Sequence, residues 1–507
     1  MIVDTPSGRI QGLEKHGVRQ FRGIPFARAE RFRAPERVAP WADVHDGTTF
    51  GPVAPQNPSP TEALYGGRPS AWDEDCLVLN VFTPDGDLDA ARPVMVWIHG
   101  GGFTGGSGRI PWYDGTRLAA GQDVVVVTIN YRLGALGFLH LAHLDPAFAG
   151  SGANGIRDQV MALEWVRDNV AALGGDPGNV TVFGESAGGM SIGTLMGTPA
   201  AAGLFRGAIA QSGACAHVHD PDVGAWVTDR LLAALDLGPA AVDGLLSAPV
   251  DAILAAQLAV DDSAQGAKRS AEGPPVGRLT FQPVVDGTVL PRPPLETVRA
   301  GSAAGVHLVT GSTADEWNLF HLRSRVAGSL TPEQARRRLG GVAGDRVDDV
   351  LDAYRAARPD ADPDGLVCAV MTDEVFRIPA VRLAEAHLPH APRVSMYRFD
   401  HASPTFGACH GIDVPFVFDN LERGGVEVLL GGLDDRTRRL AANTAAAWAG
   451  AARTGSPAHG GLAWPAYEAG DRLTLRLDRE PGVVADPDAD IRRLWEELAP
   501  VAGAARP

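Results

Sequence analysis

The chain has 507 residues, 45% of them hydrophobic and 21% charged, which is the composition of a globular protein and not of a disordered one. Its net charge of −16 argues against nucleic acid as a partner, because phosphate binding requires concentrated lysine and arginine. No apolar run approaches the roughly 20 residues needed to cross a bilayer, and the first residues lack the basic stretch and apolar core of a secretion signal.

The predicted elements begin with short β-hairpins and then change to strands that alternate with helices. Residues 2–10 and 18–25 have the pattern of hairpin strands. The later strands are predicted from apolar, β-branched runs at residues 77–82, 94–98, 124–130, 180–183, 207–210, 307–310 and 393–399. Residues 158–173 form an amphipathic helix with one apolar stripe, made by Val160, Leu163, Val166 and Val170. This alternation predicts the α/β class, with a large, mostly parallel sheet covered by helices on both faces.

Two segments interrupt the alternation. Residues 240–280 are rich in alanine, glycine and aspartate, and residues 321–370 are rich in arginine and aspartate, with helical periodicity in both. Such excursions from a sheet commonly form caps or lids. No internal repeat or linker divides the chain, so the sequence predicts a single domain over residues 1–507 with two lid segments.

A strand, a Gly-x-Ser-x-Gly turn and a helix follow one another at residues 179–196. That order is required of a nucleophile elbow. Gly184 and Gly188 remove side chains where the strand and helix backbones pass closely, so the hydroxyl of Ser186 stands out at the turn. A bare Gly-x-Ser-x-Gly arises easily by chance, but here both flanks fit. The sequence therefore predicts a serine hydrolase with Ser186 as its nucleophile.

A serine hydroxyl is a poor nucleophile until a neighbouring base, oriented by a third group, takes its proton. His410 is the candidate base, because it lies late in the chain in a loop just before an apolar aromatic segment. Glu316 is the preferred acid, since it follows a predicted strand and loops at the carboxyl ends of parallel strands hold the chemistry of such sheets. The resulting order of serine, acid and histidine is that of this hydrolase architecture. Asp315 is the main rival for the acid role.

The negative tetrahedral intermediate of acyl transfer requires preorganised hydrogen-bond donors. His-Gly-Gly-Gly at residues 99–102 comes directly after a predicted buried strand and matches an oxyanion loop. Its glycines allow backbone N–H groups to point into a site that side chains would block. The N–H of Ala187, just after the nucleophile, is the expected third donor.

These motifs resemble those of type-B carboxylesterases, the cholinesterase-related branch of the α/β-hydrolases, and the similarity is greatest to the bacterial para-nitrobenzyl esterases. Matches occur in family order along nearly the whole chain, at residues 21–27, 74–81, 99–103, 130–134, 154–159, 174–177, 184–188, 211–213 and 410–411. The resemblance implies the α/β-hydrolase fold with helical lid excursions and a deep, mostly apolar gorge. It also implies hydrolysis of carboxylic esters through an acyl-serine, with no metal or organic cofactor.

Residue by residue, the resemblance implies a complete site: Ser186 as nucleophile, Glu316 rather than Asp315 as acid, His410 as base, and Gly101, Gly102 and Ala187 as oxyanion donors. It further implies a buried polar network behind the site, formed by Glu185, Ser212 and Asp413. Packing and tuning of pKa values are equally compatible roles for that network. Structural ion pairs are implied for Arg31 with Glu74 and for Arg132 with Asp158.

The chain departs from the family pattern at two positions. The family's cysteine at the position of Cys76 is paired in a disulfide, and Ala54 stands where its partner would be. Cys76 is therefore expected to be free, which favours a cytoplasmic location. None of the four cysteines has CxxC spacing, so neither a zinc site nor a redox pair is indicated. Trp317 replaces the family's glycine after the acid and is expected to narrow the site.

Aromatic residues near the predicted loops are candidates for an apolar acyl or alcohol pocket, namely Phe103, Trp317, Phe320 and Phe406. These residues favour small apolar or aromatic esters as substrates. The net charge and the lack of a long apolar run indicate neither nucleic acid nor a membrane as a partner. Two alternatives stay open. The same triad could hydrolyse aryl carbamates or amides, and a non-catalytic cholinesterase-like interaction protein would share the fold, although such proteins typically lack the nucleophile.

Overall fold

The structure is a computed structural model that describes residues 1–58, 71–238, 241–270, 279–325, 329–459 and 462–498. Its strands, in chain order, are β1 Ile2–Thr5, β2 Gly8–Gln11, β3 Leu13–Lys15, β4 Val18–Pro25, β5 Ala27–Arg28, β6 Glu36–Arg37, β7 Val44–Asp46, β8 Val78–Pro84, β9 Arg92–Ile98, β10 Val125–Ile129, β11 Gly175–Glu185, β12 Gly207–Gln211, β13 His307–Thr313, β14 Val394–Phe399, β15 Leu473–Leu477 and β16 Gly482–Ala485.

The α-helices are α1 Thr116–Gln122, α2 Gly134–Phe138, α3 Asn154–Asn169, α4 Ala187–Met196, α5 Pro221–Ala234, α6 Val242–Ser247, α7 Val250–Ser270, α8 Pro294–Arg299, α9 Asn318–Arg325, α10 Pro332–Ala343, α11 Val347–Ala357, α12 Pro363–Thr372, α13 Ile378–His387, α14 Val414–Val417, α15 Val426–Leu430, α16 Asp435–Thr454 and α17 Ala489–Leu498. A π-helical turn, Asp373–Arg377, joins α12 to α13 without a break. Among the described residues, no helix is both long enough and apolar enough to span a membrane.

Eleven strands form one sheet in the order β16-β15-β14-β13-β12-β11-β9-β10-β8-β4-β3. Neighbouring strands run parallel from β10 through β15, and the strands at both flanks pair antiparallel. Parallel strands need crossover connections, and helices supply them here. The carboxyl ends of β9, β11 and β13 therefore meet at one edge of the sheet.

The central strands of the sheet are buried on both faces. Along β9, Val94, Val96 and Ile98 enter one apolar cluster, whereas the intervening Met95 and Trp97 enter a second cluster on the opposite face. Side chains that alternate along a strand point to opposite faces, so apolar residues at every position require helices on both sides. The predicted architecture, an α/β-hydrolase fold with a mostly parallel sheet, is confirmed.

The predicted elements agree with the structure in kind, with shifted ends. The predicted helix at 158–173 begins four residues earlier, as α3, and closes in a 3₁₀ turn at Val170–Leu173. The predicted strand at 180–183 extends to Gly175–Glu185, because a bulge between Gly175 and Val180 keeps it paired with β9. Where the structure describes them, the lid segments are mainly helical, with non-helical connections such as those at 329–331 and 358–362; residues 240, 271–278 and 326–328 lie outside the described residues.

Candidate active site

Ser186 lies in the sharp turn between β11 and α4, with φ 58° and ψ −126°. Two glycines make this turn possible. A Cβ at Gly184 would lie 2.5 Å from the carbonyl oxygen of Ile98, and one at Gly188 would lie 2.0 Å from the same oxygen. Positive φ is a strained conformation for a residue with a side chain, and such strain is concentrated at functional sites. The turn thus holds the Ser186 side chain half-buried at the carboxyl end of the sheet.

Glu316 and His410 form a buried hydrogen-bonded pair. The Nδ1–H of His410 donates to Oε2 of Glu316 at 2.6 Å, and Oε1 of Glu316 accepts from the backbone N–H of Thr313 at 2.8 Å. Both side chains are almost fully buried. Because a carboxylate is an acceptor only, the proton of neutral His410 lies on Nδ1. Nε2 is then the basic nitrogen.

The other ring nitrogen faces a second carboxylate. Nε2 of His410 lies 3.1 Å from Oε1 of Glu185, the residue before Ser186. Burial opposes protonation of His410, but the charges of Glu185 and Glu316 outweigh it and raise the pKa of the imidazole to about 9. Burial raises the pKa of Glu185 to about 8. Within the described residues, no hydrogen bond joins His410 to the Ser186 hydroxyl or to Glu185.

The glycine loop after β9 packs directly on the nucleophile turn. A Cβ at Gly100 would lie 2.8 Å from the carbonyl oxygen of Glu185 and 3.0 Å from Cβ of Ser186. Gly101 and Gly102 have φ values of 112° and 62°, which favour glycine. The backbone N–H groups of Thr104 and Gly105 donate to the carbonyl of Gly101 and close the loop.

Two aromatic rings hold the start of this loop. The hydroxyl of Tyr131 donates to the carbonyl of His99 at 2.8 Å, and the rings of the two residues stack at 4.5 Å. Burial lowers the pKa of His99 to about 4, so its ring is neutral near pH 7. Nδ1 of His99 lies 2.8 Å from the carbonyl oxygen of Gly100, and that acceptor places the ring proton on Nδ1. Two loop carbonyls are thereby fixed, which orients the N–H groups that follow them.

Behind the site, Glu185, Ser212 and Asp413 are all completely buried. Asp413 accepts from Nε2 of Gln211 at 2.9 Å and from the hydroxyl of Tyr397 at 3.0 Å. Within the described residues, these three side chains form no direct hydrogen bond to one another. Burial and the charge of Glu316 raise the pKa of Asp413 to about 6. The contact between Gln211 and Asp413 lacks a local sequence signal, since 202 positions separate the two residues.

The predicted aromatic pocket residues divide into two groups. The ring of Phe320 lies 5.0 Å from that of His410, and Trp317 packs on Phe320 at 4.9 Å. Phe103 is instead fully buried against Phe138, and the half-buried Phe406 packs against the apolar cluster on the other face of the sheet.

One aromatic neighbour of His410 was not predicted. The ring of Phe376 lies 4.7 Å from the imidazole and stacks on Phe320 at an interplanar angle of 12°. Phe376 lies in the π-helical turn, and such turns are frequent at functional sites. An apolar residue inside a helical pattern gives no indication of that extra residue per turn, so the sequence offered no usable signal.

Both ion pairs implied by the family resemblance are present in the structure. Nε of Arg31 lies 2.6 Å from Oε2 of Glu74, and Nη2 of Arg132 lies 2.7 Å from Oδ1 of Asp158. Cys76 is free and buried, as are the other cysteines. Among the described residues, no group of three or more histidine, cysteine, aspartate or glutamate side chains is arranged to hold a metal ion.

Comparison with known proteins shows that the chain is similar to carboxylesterases. The sequence profile of the carboxylesterase family matches residues 1–491. The para-nitrobenzyl esterase of Bacillus subtilis (strain 168) is 39% identical over 97% of this chain and 98% of its own length. The phenmedipham hydrolase of Pseudarthrobacter oxydans is 34% identical over 97% and 96% of the two chains. A solved carboxylesterase structure from Geobacillus stearothermophilus superposes with a TM-score of 0.87 at 39% identity, covering 97% of this chain and 99% of that one.

Proposed function

The chain belongs to the carboxylesterase family and is a carboxylic ester hydrolase, and we propose that Ser186, His410 and Glu316 are its nucleophile, base and acid. The observation that carries this assignment is the buried 2.6 Å hydrogen bond between His410 and Glu316 at the edge of the sheet where the Ser186 turn lies. It is the arrangement of a base oriented by a carboxylate.

The reaction proceeds through a covalent acyl-serine. Nε2 of His410 takes the proton of the Ser186 hydroxyl as the oxygen attacks the ester carbonyl, and then returns it to the leaving alcohol. Water, activated by the same nitrogen, hydrolyses the acyl-enzyme. Glu316 keeps the other ring proton on Nδ1 and stabilises the imidazolium that forms in each step.

The backbone N–H groups of Gly101, Gly102 and Ala187 are the proposed donors to the oxyanion. The packing of Gly100 on Ser186 supports this assignment, because it brings the loop beside the nucleophile. Ala187 opens α4, where N–H groups lack helical partners and point outward. Both features suit a site that binds developing negative charge.

Gly101→Ala is expected to lower kcat/KM by roughly 100- to 1,000-fold, the cost of losing an oxyanion donor. Its Cβ would lie 2.1 Å from the carbonyl oxygen of Gly105, at a φ of 112°, so the loop must move. Initial rates on para-nitrophenyl acetate measure the loss. Gly203→Ala is the matched control, since Gly203 also has positive φ, 77°, but, beyond its chain neighbours, no described residue lies within 4 Å of the added methyl group. Full activity of the Gly101 variant would contradict the oxyanion assignment.

Glu185 is proposed to tune the base. When Glu185 is ionised, its carboxylate, 3.1 Å from Nε2 of His410, favours the imidazolium and so raises the pKa of that histidine. Ser212 and Asp413 complete the proposed buried network, in which the charge of Asp413 adds to the same effect.

Glu185→Gln is therefore expected to shift the acid limb of the kcat/KM profile to lower pH, because His410 must be neutral to accept a proton. The plateau should fall by about tenfold for each pKa unit of lost imidazolium stabilisation. Rates measured from pH 5 to 10, with folding checked by circular dichroism, test both effects. Glu497→Gln, at an exposed ion pair with Arg346, is the control for loss of one carboxylate. An unchanged profile would leave Glu185 with a packing role only.

Small apolar or aromatic esters are the proposed substrates. The aromatic wall formed by Trp317, Phe320 and Phe376 beside His410 supports this proposal, since such rings pack against apolar acyl or alcohol groups. Phe103 and Phe406 are also proposed as pocket residues. The test measures kcat/KM on three substrates with the same acyl chain length: a para-nitrophenyl ester, a para-nitrophenyl carbamate and a para-nitroanilide. The ratios of these values separate ester hydrolysis from carbamate or amide hydrolysis.

We also propose a single domain over residues 1–507 in which 240–280 and 321–370 form the lid, in a bacterial protein of the cytoplasm. The free state of all four cysteines supports a reducing compartment. Fractionation of the source cells, with esterase activity followed in each fraction, tests the location. Activity confined to an extracellular fraction would contradict it.

A further inference from the structure

The loops that carry Glu316 and His410 lie side by side and are joined through their backbones. The N–H of Asp315 donates to the carbonyl of Ala408 at 2.9 Å, and the N–H of His410 donates to the carbonyl of Glu316 at 3.3 Å. Oδ2 of Asp315 accepts from the N–H of Ala408 at 3.0 Å. Asp315 thus contacts the histidine loop through both its backbone and its side chain, two residues before His410.

Asn318, on the other side of Glu316, holds the same loop at a second point. Its Nδ2 donates to the carbonyl of Phe406 at 3.0 Å. Gly407 lies between the two attachment points, with a φ of 67°. A Cβ there would be 2.6 Å from Oδ2 of Asp315 and 3.0 Å from Nδ2 of Asn318, so the glycine gives both polar groups access to the loop backbone.

We propose that Asp315 and Asn318 are positioning residues that clasp the loop 406–408 and so hold the His410 ring in register with Glu316. The proposal rests on the assignment of His410 as the base. It gives Asp315 a role distinct from that of the triad acid, because Oδ2 is bound to a backbone N–H of the loop.

This clasp, made by the bonds from Asp315 and Asn318 to the loop 406–408, would keep the two catalytic loops at a fixed distance. A hydrogen-bonded pair of side chains on two separate loops keeps its geometry only as well as the loops keep theirs, and a displacement of about 1 Å can cost roughly 100-fold in rate. The short contact of Ser403 with Gly407, through reciprocal backbone hydrogen bonds of 2.9 and 3.1 Å, closes the far end of the loop on itself. The bonds from Asp315 and Asn318 tie it to the chain segment of the acid, in addition to the backbone bond from His410 to Glu316.

Asp315→Ala is the first test. It should lower kcat by about 10- to 100-fold with little change in KM, because the loop loses one anchor while the substrate pocket is retained. The acid limb of the kcat/KM profile should also move to lower pH, since a looser contact with Glu316 stabilises the imidazolium less. Asp315→Asn should restore kcat to within about threefold, because its side-chain oxygen still accepts from the N–H of Ala408.

Gly407→Ala tests the clasp from the other side. The added methyl group should displace the loop and lower kcat. In the double variant with Asp315→Ala the clashing carboxylate is absent, so the total loss of kcat should be smaller than the product of the losses in the two single variants. Gly432→Ala is the control for positive φ alone, since Gly432 has a φ of 118° with open space around it. The downfield NMR signal of the Nδ1 proton of His410 reports directly on the contact with Glu316 and should weaken in the Asp315→Ala and Gly407→Ala variants.

Three outcomes would overturn the clasp. One is an Asp315→Asn variant that loses as much activity as Glu316→Gln, which would make Asp315 the acid. The second is an Asp315→Ala variant with unchanged kcat and pH profile. The third is strict multiplicativity of the Gly407→Ala and Asp315→Ala losses. His410→Ala, measured in the same series, separates these results from failure of the proposed triad, because an active His410 variant would refute the base and not the clasp alone.

Discussion

Ser186→Ala is expected to lower kcat/KM for para-nitrophenyl esters by ~10⁴-fold or more in a protein that remains folded. The methyl group cannot form the acyl bond, so the oxyanion donors and substrate binding are all that is left to accelerate attack by water. The side chain is half-buried, and alanine keeps the Cβ that Ser186 already accommodates in this turn, so the variant should fold. Initial rates on short- and medium-chain esters, with circular dichroism as the check on folding, measure the effect.

Ser302→Ala is a suitable control for this variant. The hydroxyl of Ser302 donates to the carbonyl of Met196 at 2.7 Å, and the residue precedes β13, at the end of the sheet opposite the site. The Ser302→Ala variant therefore loses a serine hydroxyl far from the site, and it should keep the activity of the unaltered protein. Comparable rates in the Ser186 variant and in the unaltered protein would place the chemistry at another residue and refute Ser186 as the nucleophile.

The sheet could be predicted largely from local pattern, because buried parallel strands leave continuous apolar runs in the sequence. Residues 94–98 and 124–130 are such runs, and they correspond to β9 and β10. Where a strand begins and ends depends instead on its hydrogen-bonded pairing with the neighbouring strands. Residues 175–179, Gly-Asp-Pro-Gly-Asn, are of types depleted in strands, yet they extend β11 because the strand partner and the bulge accommodate them. Local propensity carries no information on that pairing.

The candidate site divides in the same way. The motifs at Ser186 and at residues 99–102 can be recognised because a tight turn and a close backbone approach impose glycines at fixed spacing. Asp315 and Glu316, as adjacent carboxylates after one strand, are nearly equivalent in sequence. They differ only in the tertiary contacts, since one accepts from Ala408 and the other from His410. Phe376 lies beside the imidazole of His410 because it is in a π-helical turn, and no local sequence pattern predicts that turn.

Glu316→Gln is expected to lower kcat by ~10⁴-fold, although the two side chains have the same shape. Glu316 now accepts twice, from Thr313 and from Nδ1 of His410. Glutamine has a single acceptor oxygen. If that oxygen stays on Thr313, the amide NH₂ faces Nδ1 and holds the imidazole in the tautomer with its proton on Nε2, the nitrogen that must accept from Ser186. Asp315→Asn, one residue away, changes the same charge and should stay within about threefold of the unaltered protein. Single-turnover kinetics should show the loss in both acylation and deacylation, because Nε2 must accept a proton in each step, and a reversed ranking of the two variants would make Asp315 the acid.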